Sequence, residues 1–286
     1  MTALGFDIGG TSVKATLVRD GTAIATARSQ AYARPSTEQI IAAMRTCLDD
    51  LGSPSAITRV GLCLPGVLDL EQQRADLCVN IPAIEGVSLG ELVEAALPGA
   101  PPPQVFGDAH AAAFGYWKEH PCQDRLLALA LGTGVGACVL DSGQLFRVTG
   151  QSSGHIGQLD VGFCSQPGED EPIGPDGGRN SLEAWIGVPA LRTRYGNDLV
   201  SRVGDIDIND PPLRALVRAI RICHAIYHPQ RVVLLGGVGI RLATKVDAIK
   251  QAVDENLTSV ADPAWTLETG TSDHHAAAGA ALLALD

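Results

Sequence analysis

Asp7, Gly9, Gly10 and Thr11 stand together at the end of the apolar run Leu4-Gly5-Phe6. Apolar and polar residues alternate again at Val13, Ala15 and Leu17, so the segment reads as strand, tight turn, strand. Such glycines let backbone N–H groups approach an anion, and the Thr11 hydroxyl adds a donor. Asp7 would sit where a hydrated Mg²⁺ could bridge it to a phosphate. The turn is neither a Walker A loop nor a dinucleotide fingerprint, because no GKS/T or GxGxxG helix start follows. Taken alone, the segment is equally compatible with an ordinary glycine-rich hairpin.

A second turn weighs against the ordinary hairpin. The apolar run Leu126–Leu131 ends in Gly132-Thr133-Gly134-Val135-Gly136, and Ala137-Cys138-Val139-Leu140 follows as another strand. A third glycine turn, Gly236-Gly237-Val238-Gly239, follows the strand Val232–Leu235 and opens towards a helix, which suits an adenine packed flat on backbone. The repeated strand–turn–strand pattern suggests a duplicated domain that grips a chain of phosphates.

The elements that must position these turns are legible in outline. Ser36 offers an N-cap to a helix carrying Ile40, Ile41, Met44, Cys47, Leu48 and Leu51 at helical spacing. Val60–Leu64 is a strand, Val105-Phe106 another, and Asp108 is expected to cap a helix from Ala109 to about His120. A long insert rich in Gly, Ser and Pro, about 143–180, has the length of a functional loop. Helices are expected near 181–195 and 212–227. The alanine-rich segment from Ala276 to Leu285 is expected as a helix packed closely against a sheet.

Composition excludes several functions. The 286 residues can hold two domains, and 45% hydrophobic with only 4% aromatic residues gives a core of Ala, Val, Leu and Ile. A net charge of −11 argues against binding a phosphate backbone, so no nucleic-acid partner is expected. No apolar run approaches spanning length and no secretory leader pattern follows Met1, so neither a membrane nor export is expected. The seven cysteines are odd in number, lack a CxxC pair and lie mostly in apolar patterns. They read as reduced core thiols of a cytoplasmic protein.

The order Asp-x-Gly-Gly-Thr-x-x-x-Lys, Leu-Pro-Gly, Asp-Ala-x-Ala-Ala-Ala, Gly-Thr-Gly-Val-Gly, Leu-Glu-Ala, Gly-Gly-Val resembles the ROK family from Gly5 to near Ala281. That family comprises bacterial sugar kinases and related repressors. The resemblance implies an α/β, two-domain actin-like ATPase (ribonuclease H-like) fold with the ATP cleft between the domains. The expected division is residues 1–115 with a C-terminal helix of about 275–286, against residues 116–274. No basic helix-turn-helix precedes the first strand, which argues against a repressor.

The resemblance also implies site residues. Gly9, Gly10, Thr11, Gly132, Thr133 and Gly134 would hold the phosphates of ATP, and Gly236 and Gly237 its adenosine. Asp7 would organise Mg²⁺ through water, and Lys14 would be a structural or phosphate-side charge. Asp108 would be the general base towards a sugar hydroxyl, as well as a helix cap. Its place at a helix N-terminus predicts a lowered pKa. Asn80, His155, Gln158 and Glu183 would line the sugar, each with a plainer role also open: a turn residue before Pro82, a solvated loop, a first-turn helix Glu. Asp160 and Arg179 are further polar candidates without a motif.

Departures from the family pattern fall in the sugar site. Gly107 stands where the family has Asn, and His155 and Gln158 replace the Glu and His of Gly-Glu-Ile-Gly-His. The family's zinc cysteines are missing: Cys164 is the one cysteine between Phe163 and Leu182, too few for about four ligands. No zinc site is expected, and Pro167, Pro172 and Pro175 would stiffen the loop instead. The expected function is an ATP-dependent kinase of a sugar or polyol, acting as a homodimer. A non-catalytic sugar-binding regulator and a polyphosphate-dependent kinase remain the alternatives.

Overall fold

The computed structural model describes residues 1–54, 56–150, 152–162, 170–196 and 202–286. Contacts divide the chain into two compact units, Met1–Pro121 with His274–Asp286, and Cys122–Asp273.

The first unit is built on a five-stranded sheet. Its strands are β1 (Thr2–Ile8), β2 (Val13–Arg19), β3 (Thr22–Arg28), β4 (Arg59–Leu64) and β7 (Pro103–Gly107), in the order β3-β2-β1-β4-β7. The hairpin β5 (Val67–Asp69) and β6 (Arg74–Leu77) forms a separate ribbon. β1 runs antiparallel to β2 and parallel to β4. It is buried on both faces, as its nearly continuous apolar run requires. Helix α1 (Thr37–Asp50) begins with a full capping box between Ser36 and Gln39 and lays Ile40, Met44, Cys47 and Leu48 into the core. Helices α2 (Leu89–Ala96) and α3 (Asp108–Glu119) complete the first run of elements.

The second unit repeats the plan. Strands β8 (Arg125–Leu131), β9 (Val135–Asp141), β10 (Gln144–Leu145), β11 (Arg231–Leu235) and β12 (Thr266–Thr269) form a sheet in the order β10-β9-β8-β11-β12. The directions match too: β8 is antiparallel to β9 and parallel to β11. Its helices are α4 (Leu182–Ile186), α5 (Val188–Tyr195), α6 (Pro211–Tyr227), α7 (Gly236–Arg241) and α8 (Val246–Asp254).

Some boundaries differ from the sequence reading. The helix expected over 181–195 is two helices, because Gly187 adopts an extended backbone (φ −62°, ψ 149°) and caps α5. The helix expected from 212 starts at Pro211, with Asp210 as its N-cap. Asp108 is the first residue of α3, and Gly107 is the N-cap.

Helix α9 (His275–Leu283) returns to the first unit, where three glycines receive it and a fourth, Gly279, lies on its own contact face. A Cβ on Gly5 would lie 1.9 Å from the Ala277 carbonyl oxygen, and one on Gly61 1.9 Å from that of Ala280. On α3, a Cβ at Gly115 would meet the His275 oxygen at 2.1 Å, and a Cβ at Gly279, on α9 itself, would lie 1.8 Å from the Ala111 oxygen. Backbone touches backbone here, so only glycine fits at these four positions. Gly279→Ala should therefore destabilise the protein by at least ~2 kcal/mol, although alanine is the better helix former by about 1 kcal/mol. Denaturant unfolding of the variant checks this.

Candidate functional site

In the first unit, register brings the site together. β1 and β2 pair Asp7 directly opposite Lys14, and the Lys14 Nζ lies 3.2 Å from Asp7 Oδ2. The other Asp7 oxygen, Oδ1, faces the Cys63 sulfur at 4.0 Å, a weak contact that leaves it free to accept. The turn after β1 is held from outside: the Tyr32 hydroxyl donates to the Gly9 carbonyl at 2.7 Å, and the Tyr32 N–H to that of Thr11 at 2.9 Å. Gly9 N–H donates to the Ser12 carbonyl at 3.1 Å, while Thr11 is exposed. Asn80 lies against Gly10, where a Cβ would come 3.2 Å from the Asn80 Cβ.

Asp108 completes this group. Its Oδ1 accepts the N–H of Ala109 at 2.7 Å. The lowered pKa expected from the helix N-terminus is not what this setting produces. Burial, and next the charge of Asp7, raise the carboxyl to about 6; the backbone N–H bonds and Lys14 offset only part of that. Solvent still reaches one side of the half-buried side chain. The carboxylate is thus mostly ionised at neutral pH and a stronger base than an ordinary Asp.

The donor set suits a hydrated Mg²⁺. Such an ion keeps several waters and takes one or two carboxylates plus substrate phosphate, and Asp7 offers one partly unengaged carboxylate. Among the described residues no group of three or more His, Cys, Asp or Glu is placed to hold a metal directly. Cys164 and Pro167 lie outside the described residues.

In the second unit the turn Gly132–Gly134 is braced on several sides. Gly132 N–H donates to the Gly134 carbonyl at 2.9 Å, and Val188 N–H donates to the Gly132 carbonyl at 2.9 Å. The Val135 N–H donates to Glu183 Oε2 at 2.7 Å. The Val135 carbonyl lies where a Cβ on Gly157 would come within 2.2 Å, so Gly157 seats the segment Gly154–Gln158 on the start of β9. Gly236, with φ +76°, rests on Leu131, and Arg241 caps the Gly237 carbonyl.

His155 and Gln158 are exposed at either end of the 3-10 turn Ile156–Gln158. Tyr227 anchors the entry to that turn, its hydroxyl donating to the Ser153 carbonyl at 2.6 Å. Glu183 is in the first turn of α4, which Ser181 caps by accepting the Ala184 N–H. Burial raises the Glu183 pKa; the Val135 bond opposes it, and Asp176 adds to it. Pro172 accepts the N–H of Asn180 at 2.9 Å, which ties the two sides of the following loop. Asp160 turns back on the Gly162 N–H at 2.8 Å, and Arg179 bridges Ile173, so both serve the loop.

Tyr32, Tyr227 and Cys63 were not singled out by sequence. Each acts across a long separation through one atom, and nothing in the local pattern marks them.

The comparisons with known proteins agree with this architecture. The model of the ROK family matches residues 3–286. A glucokinase of Thermotoga maritima is 26% identical over 272 residues, covering 82% of this chain and 81% of its own length. A beta-glucoside kinase of Listeria innocua is 25% identical over 262 residues, 84% of each chain. Among solved structures, a ROK family glucokinase from Streptomyces griseus, crystallised with glucose and AMPPNP, superposes with a TM-score of 0.76. The superposition covers 100% of this chain and 99% of the other at 20% identity. The fold is the two-domain actin-like ATPase fold.

The pKa of Asp108 has a consequence for stability. The folded carboxyl titrates near 6 and the unfolded one near 3.8, so the folded state binds more protons between those values. Stability therefore falls as pH rises through that window, and at pH 7 the ionised carboxylate costs on the order of 1 kcal/mol, discounted for its contact with solvent. Asp108→Asn keeps the acceptor for Ala109 and removes the charge. It should raise the melting temperature by a few degrees at pH 7, with the gain shrinking towards pH 4 in a pH series of melts.

Proposed function

This chain belongs to the ROK family, and from that premise we propose that it is an ATP-dependent kinase of a hydroxyl group on a sugar or polyol. The observation that carries the reading is Asp108: a carboxylate at the start of a helix, with one oxygen engaged, a pKa near 6, and the Asp7–Lys14 pair close by. Only its second oxygen is left to take a proton.

In this reading the substrate hydroxyl oxygen bonds to the γ-phosphorus of ATP, the bond from phosphorus to the β-bridging oxygen breaks, and the hydroxyl proton passes to Asp108. ADP leaves with the electron pair. Little deprotonation need precede attack in a loose phosphoryl transfer, so Asp108 acts chiefly by position. Gly9, Gly10, Thr11, Gly132, Thr133 and Gly134 offer backbone and hydroxyl donors to the phosphates, and Gly236 and Gly237 a flat surface to adenosine. Asp7 would hold a hydrated Mg²⁺ by its one partly unengaged carboxylate oxygen. Bound there, the ion neutralises charge on the phosphates. Lys14, at 3.2 Å from Asp7, orients that carboxylate. Asn80, His155, Gln158 and Glu183 hold the sugar, and no zinc is assigned to the loop that follows Gln158.

Asp108→Asn should cut turnover by at least ~10³-fold while AMPPNP binds nearly as before. The wild-type kcat/KM should fall as pH drops through about 6, where Asp108 takes up its proton. A coupled ADP-release assay reads both, and near wild-type turnover in the variant would sink the assignment.

Specificity should depart from glucose. A carboxylate only accepts hydrogen bonds, whereas His155 and Gln158 both donate and accept. Such a site suits a substrate carrying an acceptor or an anionic group at that point, and a mismatched hydrogen-bond pattern can cost orders of magnitude. Across a panel of sugars and polyols, another compound should exceed glucose in kcat/KM. Glucose ranking first would refute the role given to His155 and Gln158.

A further inference from the structure

Glu183 makes a contact that its place in a sugar site does not require. Its Oε2 accepts the N–H of Val135 at 2.7 Å, a charge-assisted bond to the residue that follows Gly132-Thr133-Gly134. The start of the next helix, α5, is bonded to the same turn, because Val188 N–H donates to the Gly132 carbonyl at 2.9 Å. Gly187, between them, is packed so that a Cβ would lie 3.1 Å from the Thr133 carbonyl and 2.8 Å from that of Glu183. The helix N-terminus is fixed in turn by Ser181, whose hydroxyl accepts the Ala184 N–H at 3.1 Å. Helix α4, the start of α5 and the glycine turn are therefore hydrogen-bonded together, α4 at Val135 and α5 at Gly132.

The turn needs such support. Gly132 and Gly134 have no side chains, and the bonds above add to the Gly132 N–H bond to the Gly134 carbonyl and to the β8–β9 pairing of Leu131 with Val135 in restraining the turn on either side of Thr133. A glycine turn that holds a polyanion binds well only if its N–H groups are ordered beforehand, since ordering them on binding costs affinity.

We propose that Glu183 is a positioning residue for the nucleotide phosphates: one oxygen holds the Gly132–Gly134 turn in shape through Val135, and the other is left for the sugar. The inference rests on the kinase reading and goes beyond the sugar contact alone. It makes Glu183 a link between the two substrates. A sugar hydroxyl that orders the carboxylate also orders the turn, so sugar should tighten nucleotide binding, and by linkage the nucleotide should tighten sugar binding by the same factor.

The test uses the full chain, Mg²⁺ and AMPPNP in calorimetric titrations without sugar. Glu183→Ala removes the acceptor and should weaken AMPPNP about tenfold, the scale of one hydrogen bond to a charged group. Glu183→Gln keeps an acceptor for Val135 N–H and should recover most of that affinity, with both variants checked for folding by their melting curves. Glu183→Ala binding AMPPNP within twofold of wild type would overturn the positioning role while leaving the kinase reading intact. Glu183→Gln as weak as Glu183→Ala would also overturn it, because charge rather than the bond would then be responsible. Wild-type protein that binds no AMPPNP would remove both.

Discussion

Helix α9 lies so close to β1, β4 and α3 that carbonyl oxygens rest against glycine α-carbons, and much of the first unit depends on that contact. Asp7 is the penultimate residue of β1, and α3 begins with Asp108. Both elements are keyed to the same helix through Gly5 and Gly115, so the spacing of the two carboxylates is set by packing that leaves no room to slide. Burial raises the Asp108 pKa first, and that spacing adds to it through the charge of Asp7. A property of one carboxyl group thus follows from four residues that have no side chain to speak of.

The second unit solves a different problem with the same sheet order. Its glycine turn is braced by hydrogen bonds from α4 and α5 and by the packing of Gly157 against the Val135 carbonyl. The first unit's turn is braced by Tyr32. In both units one glycine N–H is spent inside the turn, Gly9 on the Ser12 carbonyl and Gly132 on that of Gly134, while support from outside falls on carbonyls or on the next residue. A donor spent on internal bonding is lost to a ligand, so an anion would draw on the other donors of each turn.

The three turns were legible in the sequence because each needs glycine directly after an apolar strand, a local demand that leaves a local mark. The closely packed alanine helix and the Ser36 N-cap were legible for similar reasons. The pKa of Asp108 was not. The helix N-terminus at Asp108 is a sequence feature, but burial and the nearness of Asp7 arise only when β1 and α3 are brought together. The break at Gly187 was hidden by the apolar pattern running from Leu182 to Leu191, because the close approach of Gly187 to Thr133 is a tertiary fact. The bond from Val135 to Glu183 joins residues 48 positions apart, and no periodicity announces it.

The return of α9 to the first unit also fixes an order in time. Chains generally fold domain by domain as they leave the ribosome, the earliest first. Here residues 274–286, which the first unit needs against β1, β4 and α3, are synthesised after every residue of the second. Until they emerge, Gly5, Gly61 and Gly115 face a bare groove on the sheet and on α3. The unit that is begun first is therefore the one completed last, and its nascent form exposes an apolar cleft for the whole time the other half is being made.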